Sequence, residues 1–347
     1  MAGALASGLA LSFAGSARAF ETPIITFAIN VHDWRHLDES ADTVLRLVAM
    51  FRRYGVRGDF YLTPTMAEEY ADRRPDVIAA LNETGQTISY HVRAPHPMWA
   101  GFDGPIAGLS GEALTTALLE YETYRLDLRT GELDRSRPGG FTYMTALFGR
   151  PPSTVGTPSD KQAVRAAAKR LLRELGAQAI VIYHEEGTAI DRPFEWDSGL
   201  LIRPSDFSVT RWSNARVTNQ FWWNMLSRQD AADFEPLPYL QRRLAAWSAT
   251  RPPIITSLIH ENNFVRRGAE SWTLIYFADR DRTRPLSPPY DLDAPDPSQV
   301  RSASEQARIW AAYEELVAWS AAHLRVLTSE DLVALASGRR WVPITGG

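Results

Sequence analysis

The sequence contains no cysteine. That excludes disulfides, a thiolate nucleophile, cysteine-ligated zinc and iron–sulfur clusters. Lysine is almost missing as well. Of 37 basic residues only Lys161 and Lys169 are lysine, which leaves 35 arginines. Codon bias explains that better than 35 separately chosen guanidinium sites. There is no basic run, and the formal net charge is -4, so a nucleic-acid role has little electrostatic support. No stretch reaches the ~20 apolar residues of a membrane span. Internal repeats and low-complexity linkers are lacking too.

What remains has the composition of a folded protein, with 45% apolar and 22% charged residues in a chain of 347. Such a chain can bury a large core without disulfide or structural zinc. Residues 1–19, MAGALASGLALSFAGSARA, are small and apolar and end in Ala17-Arg18-Ala19. That is an A-x-A cleavage pattern, although no basic residue precedes the apolar stretch. The expectation is a secretory signal cut after Ala19 and a secreted or periplasmic product. Residues 20–345 then form one catalytic domain.

Along that domain, short β-rich runs alternate with helical periodicity. Strands are expected at Pro23–His32, Val56–Leu62, Gln86–His91, Ala177–Tyr183, Gly199–Arg203, Pro253–Ile259 and Leu324–Leu327. Helices are expected at Glu39–Tyr54, Pro75–Thr84, Ser110–Asp127, Ser159–Leu175, Leu237–Ala249 and Ser302–Ala322, with Ser329 capping a last one. Glycines at 55, 85 and 176 supply the stops. Strands separated by helix-length segments imply parallel pairing. About seven of them suggest an irregular or incomplete (β/α) barrel. Arg280–Pro297, rich in Pro and Asp, reads as a long surface loop.

In parallel barrels the reactive groups sit where strands run out into loops. Here the strands end in Asn30-Val31-His32-Asp33, in Tyr90-His91 with His96 just beyond, in His184-Glu185-Glu186 and in His260-Glu261-Asn262-Asn263. Of seven histidines only His323 falls clearly outside strand ends and the loops after them. One carboxylate and two imidazoles with an open position suit a catalytic divalent metal such as Zn²⁺. Asp33, His91 and His96 could form such a set, with Pro95 and Pro97 stiffening the turn. On spacing alone a metal-free arrangement is favoured, with His91 capping a strand and His96 at the surface.

These features, in this order, resemble the polysaccharide deacetylase (NodB-homology) superfamily. The resemblance is carried by the first strand with its acidic end, by Tyr54-Gly55-Val56-Arg57-Gly58-Asp59-Phe60-Tyr61-Leu62, and by Gly85 through His91 and His96. It is good over residues 24–97 and thin afterwards, where Ile259-His260 fits the last motif and Arg137-Pro138-Gly139-Gly140-Phe141 takes the place of the arginine motif. It implies an α/β fold, a distorted (β/α) barrel of the deacetylase and glycoside hydrolase type. It also implies a zinc-dependent hydrolase that removes N- or O-acetyl groups from a carbohydrate. Asp33, His91 and His96 would hold the metal. His32 stands where the family has its base aspartate, and the histidine spacing is His-x4-His instead of His-x3-His.

On this reading His32 or Glu185 takes the proton of the attacking water and His260 protonates the leaving group. Arg93, Trp99, Tyr143, Glu261 and Asn263 would contact the glycan. Trp212, Trp222, Trp223 and Trp272 also lie in or near expected loops and could line a sugar cleft. Two other readings compete. One is a metal-free glycoside hydrolase using carboxylates such as Glu185 and Glu261. The other is a catalytically decayed carbohydrate-binding protein.

Overall fold

We describe the protein from a computed structural model. It describes residues 22–182, 194, 196–204, 220–224, 226, 231–247 and 252–338. The expected signal segment 1–19, His184, Glu185, Glu186 and Trp212 lie outside the described residues.

Eight strands, besides the short Arg325–Val326, run parallel to their partners. They are β1 (Ile24–Val31), β2 (Asp59–Leu62), β3 (Thr87–Tyr90), β4 (Thr154–Gly156), β5 (Ala179–Ile182), β6 (Leu200–Pro204), β7 (Gln220–Asn224) and β8 (Ile254–His260). Two hydrogen-bonded arcs result, in the orders β7-β8-β1-β2-β3 and β4-β5-β6. The Ser153 N–H donates to the Ile88 carbonyl at 2.8 Å and so ties the second arc to β3. At the other seam β6 lies beside β7. The expected barrel is therefore present as two arcs following the chain order, with eight parallel strands instead of seven and no single closed ladder among the described residues. Arg325–Val326 pairs with the start of β1. Trp222 and Trp223, expected in a loop, fall on β7.

The local signals explain most of the helices. Leu37–Arg53 buries Leu37, Ala41, Val44, Leu47 and Phe51, the three- to four-residue spacing of one helical face. It stops before Gly55, whose φ of +64° suits only glycine well. Ser302 and Glu305 form a capping box at Ala303–His323. The last helix, Ser329–Ala336, is capped by Thr328 with Asp331, one residue before the expected Ser329. Sequence reading missed Pro64–Arg73, although Thr63 accepts from the Met66 N–H and Pro64 opens it. The helix expected over Ser110–Asp127 ends at Tyr121. A hairpin of Tyr124–Leu126 and Leu133–Pro138 follows. The segment from Arg280 to Pro297 carries no named helix or strand, as expected.

Side chains on a strand alternate between faces. On β1, Ile25, Phe27, Ile29 and Val31 join the core under the helices. Ile24, Thr26, Ala28 and Asn30 are left for the interior of the arcs, which is layered. Ile24, Ala179, Leu201 and Ile254 form the lowest layer with Leu332 of the last helix. Above them the buried Arg203 donates to Thr26 Oγ1 at 3.2 Å and to Thr256 Oγ1 at 2.5 Å. Ala28, Tyr61, Val181 and Leu258 make the next apolar layer. This closes the bottom of the fold and leaves the carboxyl ends of the strands open for chemistry.

Candidate functional site

Register decides which polar residues meet at that open end. Val31 pairs with Leu62, and Leu62 with Tyr90, so His32, Thr63 and His91 stand one step beyond, at one level. Asn30 pairs with His260. The two-residue period continues the inward set Ala28, Asn30, His32 on β1 and Leu258, His260 on β8. The rings accordingly converge, with centroids 5.0 Å apart for His32 and His260 and 5.7 Å for His32 and His91. Asp33 and Glu261 belong to the outward set.

A loop tripeptide, Glu270-Ser271-Trp272, closes over these rings. His32, His260 and Glu270 each offer a ligand atom, and those atoms lie within 4.8 Å of one another. Glu270 Oε2 accepts from Asn262 Nδ2 at 2.5 Å. Ser271 Oγ donates to Asp33 Oδ1 at 2.5 Å. Trp272 Nε1 donates to His32 Nδ1 at 3.3 Å. Sequence reading gave Glu270 and Ser271 no role, and Trp272 entered only as one aromatic among several. The usable signal was an acid and an aromatic within a dozen residues of His260.

The grouping of ligand atoms differs from the expected set. Among the described residues Asp33, His91 and His96 do not form a cluster of converging ligand atoms; His32, His260 and Glu270 do. Asp33 Oδ1 takes the hydrogen bond from Ser271, while its Oδ2 is buried without a hydrogen-bond partner. His96 is turned away. Its Nδ1 accepts from the Met98 N–H at 3.2 Å, and its Nε2 faces Glu122 Oε1 at 3.5 Å. Glu122, wholly buried, also accepts from the Phe141 N–H at 3.1 Å. Gly140 permits that approach, since a Cβ there would meet Glu122 Cα at 2.5 Å. His96 therefore fixes the pocket wall.

Glu261 is placed differently too. It is 0% exposed, and its Oε1 accepts from the N–H groups of His32 and Asp33, both at 2.7 Å, and from Ser40 Oγ at 3.1 Å. These bonds anchor the turn after β1. Asn263 is buried in the following turn, where its carbonyl accepts from Arg301 Nε at 3.0 Å. Tyr143 lies half-buried on the helix Gly140–Phe148, off the pocket. Arg137 sits on the exposed hairpin, 4.0 Å from Asp72, away from the site.

A pocket opens beside the cluster, bounded by His32, His91, His96 and Trp272 and, on its outer walls, by Trp34, Tyr121 and Tyr124. Arg93 lines it with its guanidinium 4.8 Å above the Trp99 ring. Trp99 thus backs Arg93 and does not itself face the pocket. Glu68 is a further lining residue, paired with Arg125 at 2.8 Å.

The electrostatics favour neutral imidazoles. Burial, with the Arg93 charge nearby, drives His32 and His91 well below the usual histidine range. His260 is lowered to about 4, again chiefly by burial. Burial works to raise Glu270, but the neighbouring His32, His260 and Arg282 and the Asn262 hydrogen bond hold it at about 2. Burial raises Asp33, and it raises Glu261 to about 8, helped by Asp33. The cluster is thus two neutral rings and one carboxylate.

No protein-family model matches the sequence, and no curated protein matches it significantly. Solved structures do. A PuuE allantoinase aligns over 91% of this chain and 90% of its own, with 14% identity and a TM-score of 0.50. A Mycobacterium smegmatis protein assigned as a polysaccharide deacetylase aligns over 94% of both chains, with 13% identity and a TM-score of 0.48. A CE4 family pseudoenzyme from Bacillus anthracis aligns over 90% of this chain and 66% of its own, with 11% identity and a TM-score of 0.39. At 14% identity the likeness to the allantoinase shows a shared fold and nothing more.

Proposed function

We propose that the protein is a metal-dependent hydrolase that removes an acyl group, N- or O-acetyl, from a carbohydrate, with His32, His260 and Glu270 holding the ion. The convergence of those three groups at the carboxyl ends of β1 and β8 carries this reading. Their chemistry fits the group. Neutral imidazoles and an ionised carboxylate are the donor set of catalytic zinc sites. His32 Nε2 is moreover buried with no hydrogen-bond partner, an arrangement that costs free energy unless something binds there.

A divalent ion there would polarise an acyl carbonyl and bring the pKa of water toward ~7. The chain supplies the rest. His91 lines the same pocket as a neutral ring with a buried, unpartnered Nε2. It is the group placed to take the water proton and return it to the leaving amine or alcohol. Arg93 is placed to donate to the carbonyl oxygen as charge builds on it. Trp34, Tyr121 and Tyr124 offer faces on which a sugar ring can stack. The A-x-A ending at Ala19 supports export, so the substrate belongs outside the cytoplasm.

The test joins metal analysis to turnover. Protein purified without chelator should carry close to one divalent ion per chain. It should release acetate from an acetylated oligosaccharide, lose that activity to chelator and regain it with Zn²⁺. Turnover that ignores chelator, or an ion retained by a His260→Ala and Glu270→Ala double variant, would refute the proposal.

A further inference from the structure

We infer that Trp272 is a positioning residue whose indole sets the tautomer of His32, so that an ion can take His32 only after the indole lets go. The inference rests on the ion site proposed above. Trp272 Nε1 lies 3.3 Å from His32 Nδ1. An indole nitrogen is a donor only, so Nδ1 must provide the lone pair. A neutral imidazole has one such nitrogen, and its single proton is then on Nε2. That atom is buried without a partner. One ring nitrogen converges with ligand atoms of His260 and Glu270, and with Nδ1 engaged by the indole, Nε2 is the nitrogen left for an ion.

Metal ligation asks for the opposite arrangement. The ligating nitrogen gives its lone pair, and the other N–H donates to an acceptor. At His32 the outer partner is another donor. Loading through Nε2 therefore moves the ring proton to Nδ1, with no net gain or loss, and brings two N–H groups face to face. Trp272 must then shift. It is 1% exposed, lies over the pocket, packs against Tyr276 at 6.4 Å between centroids and has the Arg282 guanidinium 5.5 Å from its ring. Moving it moves a pocket wall. Ion loading and pocket shape are thereby coupled, and the coupling acts in both directions.

Two measurements on the full chain test this. The first is calorimetric titration of metal-free wild type and Trp272→Phe with Zn²⁺. Phenylalanine keeps a ring but lacks the N–H, so the variant should bind about fivefold to tenfold more tightly. Equal or weaker binding overturns the inference. The second is the ¹⁵N and ¹³C spectrum of the His32 ring in the metal-free protein. Wild type should show the Nε2–H form, and Trp272→Phe should admit the Nδ1–H form. An Nδ1–H ring in wild type overturns the inference whether or not the variant folds. If neither protein binds Zn²⁺, the ion site fails and the loading step fails with it, while the spectrum still decides the role of the indole.

Discussion

Asn30 and His260 are register partners on β1 and β8, and their side chains meet, Nδ2 to Nε2, at 3.1 Å. That contact fixes which face of each strand looks into the site. Two residues after Asn30, and on β8 itself, a histidine is followed directly by an acid: His32-Asp33 and His260-Glu261. The period of two sends each histidine inward and each acid outward. The carboxylate at the cluster has to come from elsewhere, and Glu270 supplies it.

Glu270 should therefore outrank Asp33 in metal binding. Glu270→Gln keeps the shape and removes the charged donor. It should weaken Zn²⁺ binding by more than the ~10–100-fold typical of losing a supporting partner. Asp33→Asn should change affinity far less and lower stability instead, because Ser271 loses its charged acceptor. Zn²⁺ titration beside urea unfolding separates the two effects. Equal losses of affinity would contradict the assignment.

His96 gives a sharper contrast with what its sequence position suggests. Both of its nitrogens are turned to the protein, one to the Met98 N–H and the other toward Glu122. His96→Gln should leave Zn²⁺ affinity close to wild type while altering KM, through the shifted wall at Tyr121. A large loss of affinity in this variant would return His96 to the metal.

Glu261 is predicted to matter for folding. Three donors converge on its Oε1. Glu261→Ala leaves two buried backbone N–H groups unsatisfied, while Ser40 keeps Tyr70, at a cost of roughly 2–5 kcal/mol. Glu261→Gln keeps an acceptor and should cost about 1–2 kcal/mol. Urea denaturation of the two variants checks the order; alanine no worse than glutamine would contradict it.

The fold was largely readable because its signals are local. Gly55 ends a helix, Ser302 and Glu305 cap one, and strand-like runs recur between them. β4 was missed because three residues, Thr154–Gly156, leave too little pattern to recognise. At the site, clustering histidines at strand ends pointed to one end of the strands, and His32, His91, His260 and Arg93 lie together there. The roles did not follow, because they depend on strand parity and on a loop. Parity was available in the alternation of Ile25, Phe27, Ile29 and Val31, and applying it would have turned Asp33 outward. Glu270 had only its nearness to His260 in the chain as a signal, since its place over the rings comes from the folded loop.

The neutral rings give a pH dependence of stability whose sign can be worked out. His260 titrates near 6.5 when unfolded and at about 4 in the fold, lowered mainly by burial. Above 6.5 both states are neutral and the group contributes nothing. Between 6.5 and 4 the unfolded chain takes a proton that the native state refuses, so stability falls as pH falls, and below 4 the loss levels off. Each pH unit costs about 1.4 kcal/mol per group, which gives at most about 3 kcal/mol, less for the partial exposure of the ring. A buried acid whose pKa is raised acts in the other direction. Asp59 is raised to about 7 by burial, so its contribution disappears as pH rises. The comparison must therefore be wild type against His260→Asn, both metal-free, by urea unfolding at pH 7, 5.5 and 4.5. Acidification should cost wild type more, by about 2 kcal/mol at the lowest pH. Parallel losses in the two proteins would mean that His260 accepts its proton in the fold as readily as outside it.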